Sequence, residues 1–169
     1  REELGAALAA QIAQSEKINT LKLLEAITES STDAIFAKDI NGRYLMFNHA
    51  ACRFVGKTAE EIIGRDDFDA FPRAQAAMIR QNDLAVITAG HAIDYEEVLD
   101  TAQGKAVFAA TKGPIRDADG NVIGMYGISR DVTQRNNDER ALQESAALLQ
   151  SVQDSIQSQM AVLDANGII

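Results

Sequence analysis

Two short turns that begin with aspartate and end with glycine constrain this chain more than anything else in it. Asp39-Ile40-Asn41-Gly42 separates the apolar runs Ala34–Ala37 and Tyr44–Phe47, and Asp117-Ala118-Asp119-Gly120-Asn121 separates Ala106–Thr111 from Val122–Ile128. Aspartate, asparagine and glycine set between two short apolar runs read as a β-hairpin turn. Antiparallel sheet is therefore expected around both turns. Between them the signals change to helix. Thr58-Ala59-Glu60-Glu61 has the spacing of a capping box and opens a short helix that Gly64 closes. Pro72 starts a longer helix running to about Ala89, with Gly90 as its stop. The apolar stripe of that helix, Ala76, Ile79, Leu84 and Ile87, is interrupted by Arg80 and Asp83. The order strand, strand, short helices, long helix, three strands predicts an α+β domain, an antiparallel sheet with helices on one face.

The flanks read differently. Residues 1–30 lack proline and carry Leu4, Leu8, Ile12, Ile18, Leu21, Leu24 and Ile27, which predicts an amphipathic helix with a broken stripe. Over 136–160, Leu142, Ser145, Leu149, Val152, Ile156 and Gln159 alternate in steps of three and four. That is the rhythm of a short coiled-coil seam, though a helix packed on its own domain would show it too. The flanks also repeat. Leu23–Ser30 aligns with Leu148–Ser155, and at the same offset Asp39-Ile40-Asn41-Gly42 falls on Asp164-Ala165-Asn166-Gly167. Self-similarity at a fixed distance signals tandem units. The expected organisation is a signalling and dimerisation helix over 1–30, one domain over 31–135, a linker helix over 136–158, and the start of a second copy over 159–169.

Composition excludes several classes. With 16 basic and 25 acidic residues the net charge is −9, so neither nucleic acid nor a membrane surface is expected as a partner. The lone cysteine, Cys52, allows no internal disulfide and no zinc cluster, which fits a reducing compartment. No apolar run approaches the ~20 residues that span a bilayer, and Arg1–Ser15 has no leader pattern. A cytoplasmic excerpt is expected, from a parent protein that can still be membrane-anchored. There is no G-x-S-x-G, P-loop or G-x-G-x-x-G, so catalysis of those kinds is not expected. Asp66, Asp67 and Asp69 are read as charge favourable to the helix start at Pro72 rather than as a carboxylate site.

The motifs, taken in order, point further. Lys38-Asp39-Ile40-Asn41-Gly42-Arg43-Tyr44, Asn48, Gly56, Glu60-Glu61-Ile62-Ile63-Gly64-Arg65 and Asp67-Phe68-Asp69-Ala70-Phe71-Pro72 are followed by Lys112-Gly113-Pro114-Ile115, Asp117-Ala118-Asp119-Gly120 and Gly127-Ile128-Ser129-Arg130-Asp131-Val132-Thr133. This set resembles a PAS domain of the bacterial sensory-box subgroup, over about residues 31–135. The resemblance implies a PAS fold: a five-stranded antiparallel sheet cupping a small hydrophobic cavity beneath helices, flanked by coiled-coil-like helices. It also implies sensing rather than catalysis, with the signal leaving along the C-terminal helix to a histidine kinase or cyclic-dinucleotide enzyme in the same chain, as in two-component systems.

Departures from the family narrow the cofactor. Its flavin photoreceptors form an adduct through a cysteine directly after G-R-N, where this chain has Gly64-Arg65-Asp66-Asp67. Cys52 comes too early and is read as a small buried hydrophobe. Haem-binding members place a histidine on the long helix, and residues 72–90 contain none; His49 and His91 are read as surface or capping residues. Flavin-adduct and haem chemistry are not expected, no metal-ligand spacing occurs, and the cofactor stays unknown. Candidate cavity residues are Phe36, Phe47, Phe54, Ile63, Ile79, Leu84, Phe108 and Tyr126, with Tyr95, Lys112 and Ser129 as polar candidates on strands. A one-residue slip reverses a strand's faces, so their directions stay open. Asp131 and Thr133, just ahead of an Asn136…Glu139 cap, are the candidate signal relay. Two functions remain: a sensor holding a small metabolite or ion, or an unliganded homodimerisation and relay module with a filled core.

Overall fold

Both aspartate-to-glycine turns form hairpins, and by the same bonds. The computed structural model describes the backbone of residues 2–166 and the side chains of residues 5–157. Strands β1 (Ala34–Asp39) and β2 (Tyr44–Phe47) are joined where Asp39 Oδ1 accepts the backbone N–H groups of Asn41 and Arg43, both at 2.9 Å. Strands β4 (Gly104–Arg116) and β5 (Val122–Asp131) are joined where Asp117 Oδ1 accepts those of Asp119 at 3.0 Å and Asn121 at 2.9 Å. The Asn121 side chain adds a further bond, and together these hold the Asp117 carboxyl below its ordinary range. The closing glycines sit at φ +82° (Gly42) and +86° (Gly120), where a β-carbon would be strained. Strand β3 (Ile93–Thr101) pairs with β4 through a tight hairpin, Thr101 opposite Gly104. The five strands lie in the order β2-β1-β5-β4-β3, every pair antiparallel.

Five helices precede or interrupt the strands: α1 (Glu2–Ser30), α2 (His49–Val55), α3 (Ala59–Ile62), α4 (Asp67–Ala70) and α5 (Arg73–Ala89). Local chemistry sets their ends. The Thr58 N–H donates to Glu61 Oε2 at 2.8 Å within the expected capping box, and Gly90 stops α5 in the left-handed region. The face that α5 buries is Ala76, Ile79, Asp83 and Val86, a three-four-three spacing. Asp83, expected to interrupt the stripe, belongs to it; Leu84, expected within it, is exposed. The core joins this face to Ala34, Phe36, Tyr44, Phe47, Ile62, Phe108 and Met125.

The last turn of α1 is tied down, because Asn48 Nδ2 donates to the Thr28 carbonyl at 2.8 Å. Further back, Leu8, Ile12, Ile18, Leu21, Leu24 and Ile27 are exposed. A sixth helix, α6 (Thr133–Asn166), forms a unit of its own from Val132 onward and also exposes Leu142, Leu149, Val152 and Ile156. It runs through the segment where the repeat predicts a strand and an Asp-x-Asn-Gly turn, and residues 167–169 lie outside those described. Thr133–Asn166 contains neither glycine nor proline, so nothing in that stretch interrupts the helix. Among the described residues, no helix is long and apolar enough to cross a membrane.

Two glycines of β5 let the sheet close against its neighbours. A β-carbon on Gly127 would enter the Phe36 ring, and one on Gly124 would strike the backbone carbonyl of Lys38. A ring can shift; a carbonyl in a paired strand cannot. Gly124→Ala is therefore expected to destabilise the domain by about 2–3 kcal/mol, an overpacking cost that lowers Tm by roughly 10 °C or more. Gly5→Ala, with nothing near it on α1, should show no loss in the same thermal melt. Equal melting of both variants would refute this account of β5.

Candidate functional site

A cavity of about 50 Å³ lies between the sheet and the helices, and six aromatic rings stand among the residues of its wall. At roughly 10–15 Å³ for each water-sized probe, that is room for a few waters or one small molecule. Of the residues expected to line it, Phe36, Phe47, Phe54, Ile79, Phe108, Lys112 and Ser129 do so, joined by Ala34, Tyr44, Ala51, Val55, Phe71 and Glu97. The tip of the β3–β4 hairpin, Leu99–Thr101, forms one side. The rings interlock edge to face: Tyr44 with Phe36 at 6.0 Å and with Phe47 at 5.0 Å, and Phe54 with Phe108 at 4.9 Å between centroids.

Four expected residues lie elsewhere. Ile63 follows the last turn of α3 in an extended conformation and is exposed. Leu84 is one position past the buried face of α5. Tyr126 stands opposite Gly113 and covers it, on the alternate face to its buried neighbours Met125 and Gly127. Tyr95 sits beside the site rather than in its wall: its hydroxyl donates to the Asn82 carbonyl at 3.2 Å, and its ring centroid is 5.4 Å from Lys112 Nζ.

Behind the cavity lies a buried ion network that the sequence reading did not anticipate. Lys38 Nζ is 2.6 Å from Asp67 Oδ1 and 2.6 Å from Asp83 Oδ2. Lys112 Nζ is 2.7 Å from Glu97 Oε1 and 3.2 Å from Asp83 Oδ1, so Asp83 bridges both lysines. Tyr44 donates its hydroxyl to Asp67 Oδ1 at 2.7 Å, and Asn82 Nδ2 donates to Glu97 Oε1 at 2.9 Å. None of the five charged side chains is more than 4% exposed. Burial, and then the adjacent Asp67 carboxylate, push the Tyr44 phenol well above its ordinary value. For Lys112 burial acts downward, but Asp83 and Glu97 outweigh it and hold the ammonium above its usual range. Asp67 thus departs from the helix-dipole role expected of it: it is buried and paired, while its neighbour Asp66 caps α4 by accepting from the Phe68 N–H at 3.0 Å. Asp67 Oδ2 has no hydrogen-bond partner among the described residues.

The remaining candidates fall at element ends. Cys52 is half-buried on α2 against the core, and burial raises its thiol pKa; His49 and His91 are exposed. Asp131 is the last residue of β5, in register with the cavity-lining Phe108, and Thr133 is the first of α6. The network makes its own prediction. Lys38→Met leaves buried Asp67 without its cation and Asp83 with Lys112 alone, and should cost about 3–5 kcal/mol. Tyr44→Phe removes one charge-assisted hydrogen bond and should cost about 1.5–3 kcal/mol. Urea denaturation ranks the two, and a Lys38→Met chain as stable as the parent would disprove the pairing.

Comparison with known proteins agrees with this architecture. The family model of the PAS fold matches residues 28–137. The methanogenesis regulatory histidine kinase FilI of Methanothrix harundinacea is 32% identical over 112 residues, 66% of this chain and 13% of that protein. The aerobic respiration control sensor protein ArcB of Escherichia coli is 27% identical over 124 residues, 73% of this chain and 16% of that protein. The chain therefore spans only a small part of such relatives. A crystal structure of the Vibrio cholera VqmA–ligand–DNA complex superposes with a TM-score of 0.60 at 28% identity, over 66% of this chain and 50% of the other. That complex corrects the exclusion of nucleic acid drawn from net charge. A similar chain belongs to a DNA-bound protein, and the charge of one segment does not decide what a longer protein contacts, since charge is screened within about 8 Å at physiological salt. With its strand order, its helix-covered cavity and a family match over most of its length, the chain belongs to the PAS family.

Proposed function

We propose that this chain is the sensing module of a longer signalling protein. A small ligand occupies the cavity, and its presence is relayed along β5 into α6 and on to an output domain, a histidine kinase or a cyclic-dinucleotide enzyme. The observation that carries this reading is a cavity with a polar patch already built into an aromatic wall: Lys112 and Glu97 are positioned by ion pairs, with Ser129 beside them. Rigid polar groups at an apolar pocket are what orient a bound molecule. The sensing step needs no catalytic group in the chain. The likeness to sensor kinases supports the output class, and the single cysteine suits a cytoplasmic setting.

A relay requires the ligand to favour one of two arrangements. Asp131 is the natural junction, because the strand residue paired with Phe108 is also the last before the connection to α6. Native against denaturing mass spectrometry of the purified chain tests the first half: a small mass retained natively and lost on denaturation is expected. Asp131→Ala should keep that mass while losing the ligand-dependent change in hydrogen exchange along α6. A chain with no bound mass, and none acquired from a metabolite extract, would refute the sensor reading.

A second reading rests on a separate observation, the exposed apolar residues along α1 and α6. On that reading the flanking helices associate with those of a second copy, whether or not the cavity is filled. Removing residues 1–25 keeps Thr28, whose carbonyl holds Asn48, so the sheet domain should stay folded while the dimer weakens by about tenfold or more. Light scattering that shows an unchanged dimer after this truncation would exclude α1 as the interface.

A further inference from the structure

We propose that the cavity takes a small organic cation, an ammonium or amidinium group on a compact apolar body; this rests on the ligand-holding reading above. Charge balance is the first argument. Lys38 and Lys112 face Asp67, Asp83 and Glu97, and all five are buried, so one negative charge is left over. A buried charge without a counterpart is among the most costly features a protein interior can carry. Arg80 does not supply the missing cation: its guanidinium packs over Gly42, and its Nη1 has no hydrogen-bond partner among the described residues.

Geometry says where the excess is reachable. Glu97 lines the cavity, and both of its side-chain hydrogen bonds, from Lys112 and Asn82, land on Oε1. Oε2 is left to accept from whatever enters. The same wall carries six aromatic rings, and ring faces attract cations at short range. The protein already uses this, with Lys38 Nζ 4.6 Å from the Tyr44 centroid and 5.5 Å from that of Phe36. The titrating groups of the wall report the same field. Burial first, and then the carboxylates, favour the protonated phenol of Tyr44, while for Lys112 the carboxylates outweigh burial and favour the charged form. An anion would meet that field with the Lys112 charge already committed to Asp83 and Glu97. A neutral hydrocarbon would leave Oε2 unpaired.

The test uses three isosteric probes, isobutylammonium, isobutanol and isobutyrate, each titrated into the ¹⁵N-labelled full chain and followed by amide shifts of β3, β4 and β5. Isobutylammonium should bind at least about tenfold tighter than isobutanol, with isobutyrate weakest. Glu97→Gln, which keeps an acceptor at Oε1 but removes the charge, should bring ammonium and alcohol within about twofold of one another. Alcohol or carboxylate binding as well as the ammonium in the parent chain would overturn the cation assignment and leave the ligand-holding reading intact. Failure of all three to move cavity signals would overturn both. The comparison among probes is made on the unmodified chain, so it does not depend on the variant folding.

Discussion

Asp83 holds the sheet's polar centre together, because its two oxygens reach lysines on strands that do not touch. Lys38 is on β1 and Lys112 on β4, and β5 runs between them. A single α5 carboxylate thus bridges three neighbouring strands from the helix side. Lys112 is in register with Gly127 on β5, and Gly127 with Phe36 on β1. The missing side chain at Gly127 is what lets the Phe36 ring lie across β5 without a clash. The aromatic wall and the ion network are therefore two consequences of one cross-strand row. Ion networks of this kind seldom add stability over an apolar replacement, but breaking one member is severe. Their best-attested use is to fix one arrangement among several. Here that arrangement sets the position of the cavity's polar patch.

What the sequence revealed depended on whether the deciding chemistry was local. The Asp39 and Asp117 turns, the Thr58–Glu61 cap, the Pro72 start and the Gly90 stop involve residues within a few positions of each other, and each appears in the structure. The buried phenylalanines were legible from strand alternation. The ion network was not, because a charge in a helix is normally a solvated charge. Its signal was nevertheless present: Ala76, Ile79, Asp83 and Val86 keep the helical spacing more faithfully than the stripe drawn through Leu84. Lys38 likewise alternates with Ala34 and Phe36 on the buried face of β1. A polar residue at a core phase predicts a buried partner, and two such residues predict each other. Tyr126 failed for a different reason, since its face depends on the register of β5, which no short window contains. The turn expected at Asp164–Gly167 runs past the described residues, since α6 continues to Asn166 and Gly167 lies outside them.

The size of the cavity bears on how a signal can leave it. A ligand enclosed in about 50 Å³ touches few atoms, so its differential free energy for two states is limited. A small input becomes a usable output only where its contacts are already rigid, because rigid neighbours convert a local change into a choice between discrete packings rather than absorbing it. The ion pairs supply that rigidity on one side. On the other side, the hairpin tip at Leu99–Thr101 is held by bonds to α5 and α2: Asp100 N–H to Gln75 Oε1 at 2.9 Å, and Ala102 N–H to the Phe54 carbonyl at 2.8 Å. β5 lies between β1 and β4 and carries Ser129 in the wall two residues before Asp131. The strand that precedes α6 is thus the central strand of the sheet, hemmed in by β1 and β4 and facing the cavity.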